Sequence, residues 1–204
     1  MVVVRGRGAR RGLPALTERV KEQGIIIKPL GGAAAARAED AFRRVYASAF
    51  AEPPYDETPG DVAAAFRRFR VQTRKPAFRG ALARTEAGDP VGMAYGYPLS
   101  ARTRWWDQLL VPVPEEVRHE DGRRTFGLME LAVRAPWRGH GIARRLHDVV
   151  LEGTGVERVL LNVLPEAESA QAAYRSWGYR KVGETRPWDG AALHDVMVLD
   201  LVTG

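Results

Sequence analysis

The chain has 204 residues, 45% hydrophobic and 27% charged, the balance of one soluble globular domain able to bury about 70% of its unfolded surface. It holds no cysteine, which excludes disulfides, thiol nucleophiles and thiolate metal sites, and no apolar run near the roughly 20 residues that span a bilayer. The net charge of +6 is uneven, because residues 1–23 carry Arg5, Arg7, Arg10, Arg11, Arg19 and Lys21 against only Glu18 and Glu22. The remainder is close to neutral, which argues against a dedicated nucleic-acid module.

Residues 1–23 are expected to be a solvated basic leader, with binding to nucleic acid or an acidic membrane surface as the other reading. Their apolar part is only Val2, Val3 and Val4, so they are no secretory signal, and the cytosol is the expected compartment. Residues 24–204 then form a single domain without repeats.

Residues 24–30 read as a first strand and 33–52 as a helix, with Ala38, Phe42, Val45, Tyr46 and Phe50 on one face. Pro53 and Pro54 break it, and 61–70 is a second helix after the turn at Pro59 and Gly60. A hairpin is expected from 78–85 and 91–99 around Gly88. Residues 101–124, with Trp105, Trp106, Pro112 and Pro114, are irregular and read as an insertion or lid. An apolar run at 128–133 precedes a break at 135–137. The string Arg138-Gly139-His140-Gly141-Ile142-Ala143 follows and opens a helix with Ile142, Leu146, Val149 and Val150 at helical spacing. Residues 156–163 suit a buried strand and 166–177 a helix, with Gly178 as its C-terminal stop. The strands at 179–182 and 193–201 should pair with each other.

A strand running through glycines into a helix start presents unpaired N–H groups and the positive end of the helix dipole, a site for phosphate. Arg138, Arg144 and Arg145 add cations around it. No Gly-x-x-x-x-Gly-Lys-Ser/Thr string occurs, which removes the P-loop. A dinucleotide fingerprint needs a third glycine where Arg144 stands. The pattern that fits is Arg-x-x-Gly-x-Ala at Arg138, Gly141 and Ala143. It is similar to the pyrophosphate loop of the GNAT superfamily of acyl-CoA-dependent N-acetyltransferases. Downstream, Ala170-x-x-x-Tyr174-x-x-Trp177-Gly178-Tyr179 resembles that family's second signature, Ala-x-x-x-Tyr-x-x-x-Gly-Phe. The likeness extends over about residues 24–201, with these two blocks as its specific parts.

The resemblance implies an α/β fold with a mixed, mostly antiparallel sheet flanked by helices, splayed where the thioester of acetyl-CoA lies. It implies that the backbone of Leu131, Ala132 and Val133 pairs with pantetheine and supplies an N–H to the thioester oxygen. It further implies that Arg138, Gly139, His140, Gly141, Ile142, Ala143 and Arg144 hold the diphosphate. Tyr174 matches the tyrosine that faces the CoA sulfur. A phenol near pKa ~10 is a weaker acid than a thiol near ~8.5, so hydrogen bonding to the leaving thiolate is expected rather than full proton transfer. Glu130 interrupts an apolar strand, where a carboxylate is costly without a task or partner. It is either the base that takes the amine proton, as an acid near this point does in some similar members, or an acid facing solvent or an arginine.

Two positions depart from the family pattern. Asn162 stands where many members have glutamate; it cannot take a proton but could bond pantetheine or water. Ala167 replaces a CoA-contacting asparagine. His119, His147 and His194 lack metal-like spacing, so no metal is expected, and no serine sits in a nucleophile elbow. Direct attack by a bound amine is therefore the expected route. The loop holding Glu52, Tyr55, Asp56 and Glu57, with Asp61 beyond, borders the acceptor pocket in similar members; it either attracts a cationic amine or is a solvated loop and helix cap. The expected partners are acetyl-CoA and a small amine, with a homodimer left open by the resemblance. A GNAT-shaped acyl-CoA sensor without turnover is the alternative.

Overall fold

The computed structural model describes residues 24–188 and 190–201; the basic stretch 1–23 and the leader expected there lie outside them. Seven strands build one sheet: β1 (Ile25–Gly31), β2 (Arg79–Thr85), β3 (Pro90–Pro98), β4 (Thr125–Val133), β5 (Arg158–Val163), β6 (Arg180–Thr185) and β7 (His194–Asp200). Their spatial order is β1-β2-β3-β4-β5-β7-β6. Every neighbouring pair is antiparallel except β4 with β5. The mixed sheet is the one expected. β7 pairs with β6 as the sequence suggests, and also intervenes between β6 and β5.

Alternation along the strands divides the core between two faces. In β2 and β3, Leu82, Met93 and Tyr95 join an aromatic cluster built on Phe42, Phe66 and Phe69, while Ala81, Ala83 and Ala94 face the opposite layer. The first layer holds α1 (Gly32–Arg37), α2 (Glu39–Phe50) and α3 (Pro59–Gln72). The helix expected over 33–52 is thus two helices bent at Ala38, which has φ −96° and ψ 14°. No glycine or proline marks the bend. Hydrogen bonds continue across it, from Ala38 N to Ala34 O and from Phe42 N to Ala38 O, and the bend turns both Ala35 and Phe42 into the core. The helix α3 begins two residues before the expected start. Thr58 is its N-cap in a capping box with Asp61, and Pro59 occupies the first turn, where a missing N–H costs nothing.

Residues 101–124 hold a 3-10 turn (Trp106–Gln108) and the four-residue α4 (Glu115–Arg118). They are fastened by buried Glu120, which accepts from Trp106 Nε1 at 2.8 Å, Thr125 Oγ1 at 2.7 Å and Arg158 at 2.9 Å. The second layer comprises α5 (Ile142–Leu151) and α6 (Glu168–Ser176). Ile142, Leu146 and Val150 of α5 are buried at i, i+4 and i+8, each contributing about 1.5–3 kcal/mol of transfer free energy. This stripe fixes the start of α5 against β2, β3 and β4, and so sets the position of the glycine loop before it. Among the described residues, no helix is long and apolar enough to cross a membrane.

Candidate active site

The parallel pairing of β4 with β5 lasts only three residues, Thr125 with Arg158, Phe126 with Val159 and Gly127 with Leu160. Beyond it the strands part. On the other edge of β4 the register slips so that Tyr95 faces Glu130 while Gly96 faces Leu128, leaving Met129 as a bulge. The edge of β4 from Leu128 to Val133 that faces β5 carries no ladder. A cavity of about 590 Å³ lies at this opening, bounded by Tyr55, Leu131, Val133, Gly141, Ala143 and Tyr174.

One end of the cavity is the loop before α5. Gly139 and Gly141 have φ +77° and +72°, and a Cβ at either would meet nothing within 4 Å, so backbone conformation rather than crowding demands glycine. Among the described residues, no protein acceptor takes the N–H of residues 139–144; the first helical bond is Arg145 N to Gly141 O at 3.1 Å. Six successive amides at a helix N-terminus are therefore available to an anion. His140 turns its ring back, Nδ1 donating to Arg138 O at 2.7 Å. Arg144 reaches the rim, its guanidinium 5.5 Å from the Trp177 ring centre and paired with Asp148. Arg138 also lines the cavity, but its guanidinium bonds Val133 O at 2.9 Å, Glu52 Oε2 at 2.7 Å and Ala49 O at 3.3 Å.

Tyr174 stands on α6 at the cavity wall, 9% exposed, with ring centres 5.5 Å from Trp177 and 5.4 Å from Tyr179. Gly178, at φ +97°, closes α6 with Gly178 N on Arg175 O and Tyr179 N on Tyr174 O, both at 3.0 Å, a Schellman turn that fixes Tyr174. Burial, and then the charges of Tyr55 and Glu130, push its phenol above the ordinary 10. Its proton is held tightly, which suits a hydrogen-bond donor.

Glu130 is half-buried, and desolvation followed by the charge of Glu57 pushes its carboxyl up to about 8, with Arg68 opposing. Its charge in turn raises Tyr46, Tyr55 and Tyr95, after burial, which places the carboxylate among three phenols. A carboxyl with a pKa near 8 is largely protonated at pH 7 and becomes able to take a proton as the pH rises through about 8. Of the acids in the neighbouring loop, Glu52 is tied to Arg138 and Asp61 to Thr58. Glu57 instead accepts from the Tyr46 hydroxyl at 2.7 Å, and its own carboxyl is raised by burial.

Residues 36–179 match the sequence profile of the Acetyltransferase (GNAT) family. The chain belongs to that family. No curated protein matches it. Among solved structures it is similar to PH1933 from Pyrococcus horikoshii OT3, at 18% identity over 87% of this chain and 99% of that one, with a TM-score of 0.59. It is similar also to the ribosomal-protein-S18-alanine N-acetyltransferase from Escherichia coli, at 16% identity over 89% and 96%, TM-score 0.56. PaiA N-acetyltransferase from Thermoplasma acidophilum, in complex with coenzyme A, matches at 11% identity over 87% and 99%, TM-score 0.56. At these identities the likeness is one of fold.

Within this GNAT fold the two departures acquire places. Asn162 Oδ1 accepts from Trp105 Nε1 at 3.2 Å, so its amide anchors the 101–124 segment instead of lining the cavity. Ala167 lines the cavity without a polar group. A third departure is Tyr179, where the signature has Phe: its hydroxyl meets Nε2 of the buried His147 at 2.8 Å. Sequence reasoning set His147 aside, yet a hydroxyl at a core signature position was a signal that a buried partner existed. The Tyr46–Glu57 pair carried a weaker signal, since Tyr46 reads simply as part of an apolar helix face.

Proposed function

We propose that this GNAT protein moves the acetyl group of acetyl-CoA to the primary amine of a small molecule by direct attack in a ternary complex. The observation that carries this reading is the run of six available amides, residues 139–144, opening onto the gap between β4 and β5. The diphosphate of acetyl-CoA binds those N–H groups, and the pantetheine arm lies along the unpaired edge formed by Leu131, Ala132 and Val133. An N–H of that edge stabilises the thioester oxygen as it gains charge.

An amine near pKa ~10.4 arrives mostly protonated. Glu130, raised to about 8, first takes one proton so that the neutral nitrogen can attack the carbonyl carbon, and the nitrogen's second proton is released to solvent as the tetrahedral adduct collapses. The C–S bond then breaks, and Tyr174 donates a hydrogen bond to the departing thiolate while keeping its own proton. Asp56 and Glu57 supply negative charge on the side from which a cationic amine approaches. Direct attack calls on no metal, and the cytosol would supply acetyl-CoA.

The test combines titration calorimetry of CoA and acetyl-CoA with CoA release over a panel of small amines. We expect binding of both, with turnover on at least one amine. Absence of any binding heat removes the reading. Tight acetyl-CoA binding with no turnover across the panel leaves a sensor in its place.

A further inference from the structure

We infer that Arg138 is a positioning residue, which couples the cofactor loop to the acceptor loop through Glu52, and is not chiefly a phosphate ligand. The inference rests on the acetyl-CoA reading above only for what occupies the cofactor loop. The guanidinium immediately precedes Gly139 and spans three separate pieces of chain. Nε donates to the carbonyl of Val133, the last residue of β4; one terminal nitrogen bonds Glu52 Oε2; the other bonds Ala49 O. Ala49 O is one of the last four carbonyls of α2, which have no partner further along the helix and favour a cation.

Glu52 in turn organises the loop beyond it. Its carbonyl accepts from Tyr55 N at 3.2 Å and Asp56 N at 3.4 Å, and Glu57 N returns to Phe50 O at 2.9 Å. Tyr55 packs edge-on to Phe50 with ring centres 4.7 Å apart and faces the cavity. Glu57 is held by Tyr46. Any shift of Arg138 toward or away from a bound diphosphate therefore moves Glu52, and with it the two side chains that shape the acceptor side. The fork geometry matters: lysine would keep the charge but could not reach three acceptors at once. Since the Arg138 and Glu52 side chains are each 45% exposed, the ion pair alone is weak, and its effect lies in where it holds the loop.

Hydrogen exchange on the whole protein, with and without CoA, tests this. In the parent, CoA is expected to slow exchange at the amides of Tyr55 and Glu57. Glu52→Ala is expected to speed exchange there roughly fivefold in the free protein and to abolish the CoA response, while the CoA dissociation constant changes less than about threefold. Arg138→Lys, which preserves the positive charge, is expected to behave as Glu52→Ala does. If Glu52→Ala leaves both the loop exchange and its CoA response intact, the coupling does not exist. If Arg138→Lys weakens CoA about tenfold with the loop unchanged, Arg138 is a phosphate ligand after all. Absence of CoA binding in the parent would remove the acetyl-CoA reading, whereas free-protein exchange in Glu52→Ala would still decide whether Arg138 holds the loop.

Discussion

Tyr46 donates its hydroxyl hydrogen to Glu57 Oε1 at 2.7 Å, while Glu57 Oε2 is buried with no hydrogen-bond partner among the described residues. One carboxylate of the loop after α2 is thus half satisfied, and its charge adds to burial in lifting Glu130 to about 8.

This relationship fixes a pH dependence. Protonated Glu130 cannot accept a proton, so kcat/KM for acetyl transfer should fall on the acid side with an apparent pKa of about 8. Glu57→Gln removes the neighbouring charge and should move that limb to lower pH. Glu130→Gln should lower kcat by about a hundredfold or more. Because the folded-state pKa is raised, the stability linked to this carboxyl is full below its ordinary 4.5 and lost as pH rises through about 8. Glu130→Gln should therefore melt higher than the parent at pH 9, a comparison that calorimetric scans of both proteins make directly.

Tyr174→Phe keeps the ring against Trp177 and Tyr179 and deletes only the hydroxyl. The melting temperature should barely change, while kcat should drop about ten- to a hundredfold on the amine that the panel identifies. An unchanged kcat would take Tyr174 out of the chemistry.

At Gly141, alanine would find open space but an unfavourable φ of +72°. The cost of that conformation, about 1–2 kcal/mol, falls on the loop whose amides face the cavity. We expect Gly141→Ala to weaken CoA about tenfold in calorimetry and to lower the urea-unfolding free energy by no more than that ~1–2 kcal/mol, because α5 stays packed through Ile142, Leu146 and Val150.

The buried His147 pairs with the Tyr179 hydroxyl, and burial lowers its pKa below the ordinary 6.5. A depressed histidine contributes stability that is full above 6.5 and lost as pH falls through the lower folded value. Urea midpoints should accordingly decline as pH drops from 6.5 toward 5. Tyr179→Phe strands the imidazole nitrogen and should cost about 1–3 kcal/mol at pH 7.5.

Much of this fold is legible from spacing. The step of four between Ile142, Leu146 and Val150 predicts which face of α5 is buried, and the turn at Gly178 closes α6 as expected. Boundaries fare less well where a side chain outvotes the pattern, as Thr58 does by drawing the start of α3 back to Pro59. The loop before α5 is readable because an anion site of this kind needs glycines and main-chain amides, which a local string records. The positions of Arg138, Glu57 and Asn162 are not, since each is settled by a partner distant in the chain: Glu52, Tyr46 and Trp105 respectively. No local rule encodes an ion pair across 86 positions.

The place of β7 has a consequence for synthesis of the protein. It lies between β5 and β6, so a nascent chain that has not yet delivered residues 194–200 leaves the outer edge of β5 and one edge of β6 without backbone partners. Exposed edges of this kind invite pairing with other chains. Loss of residues 194–200 should hence favour aggregation through these two edges over a shortened, folded chain.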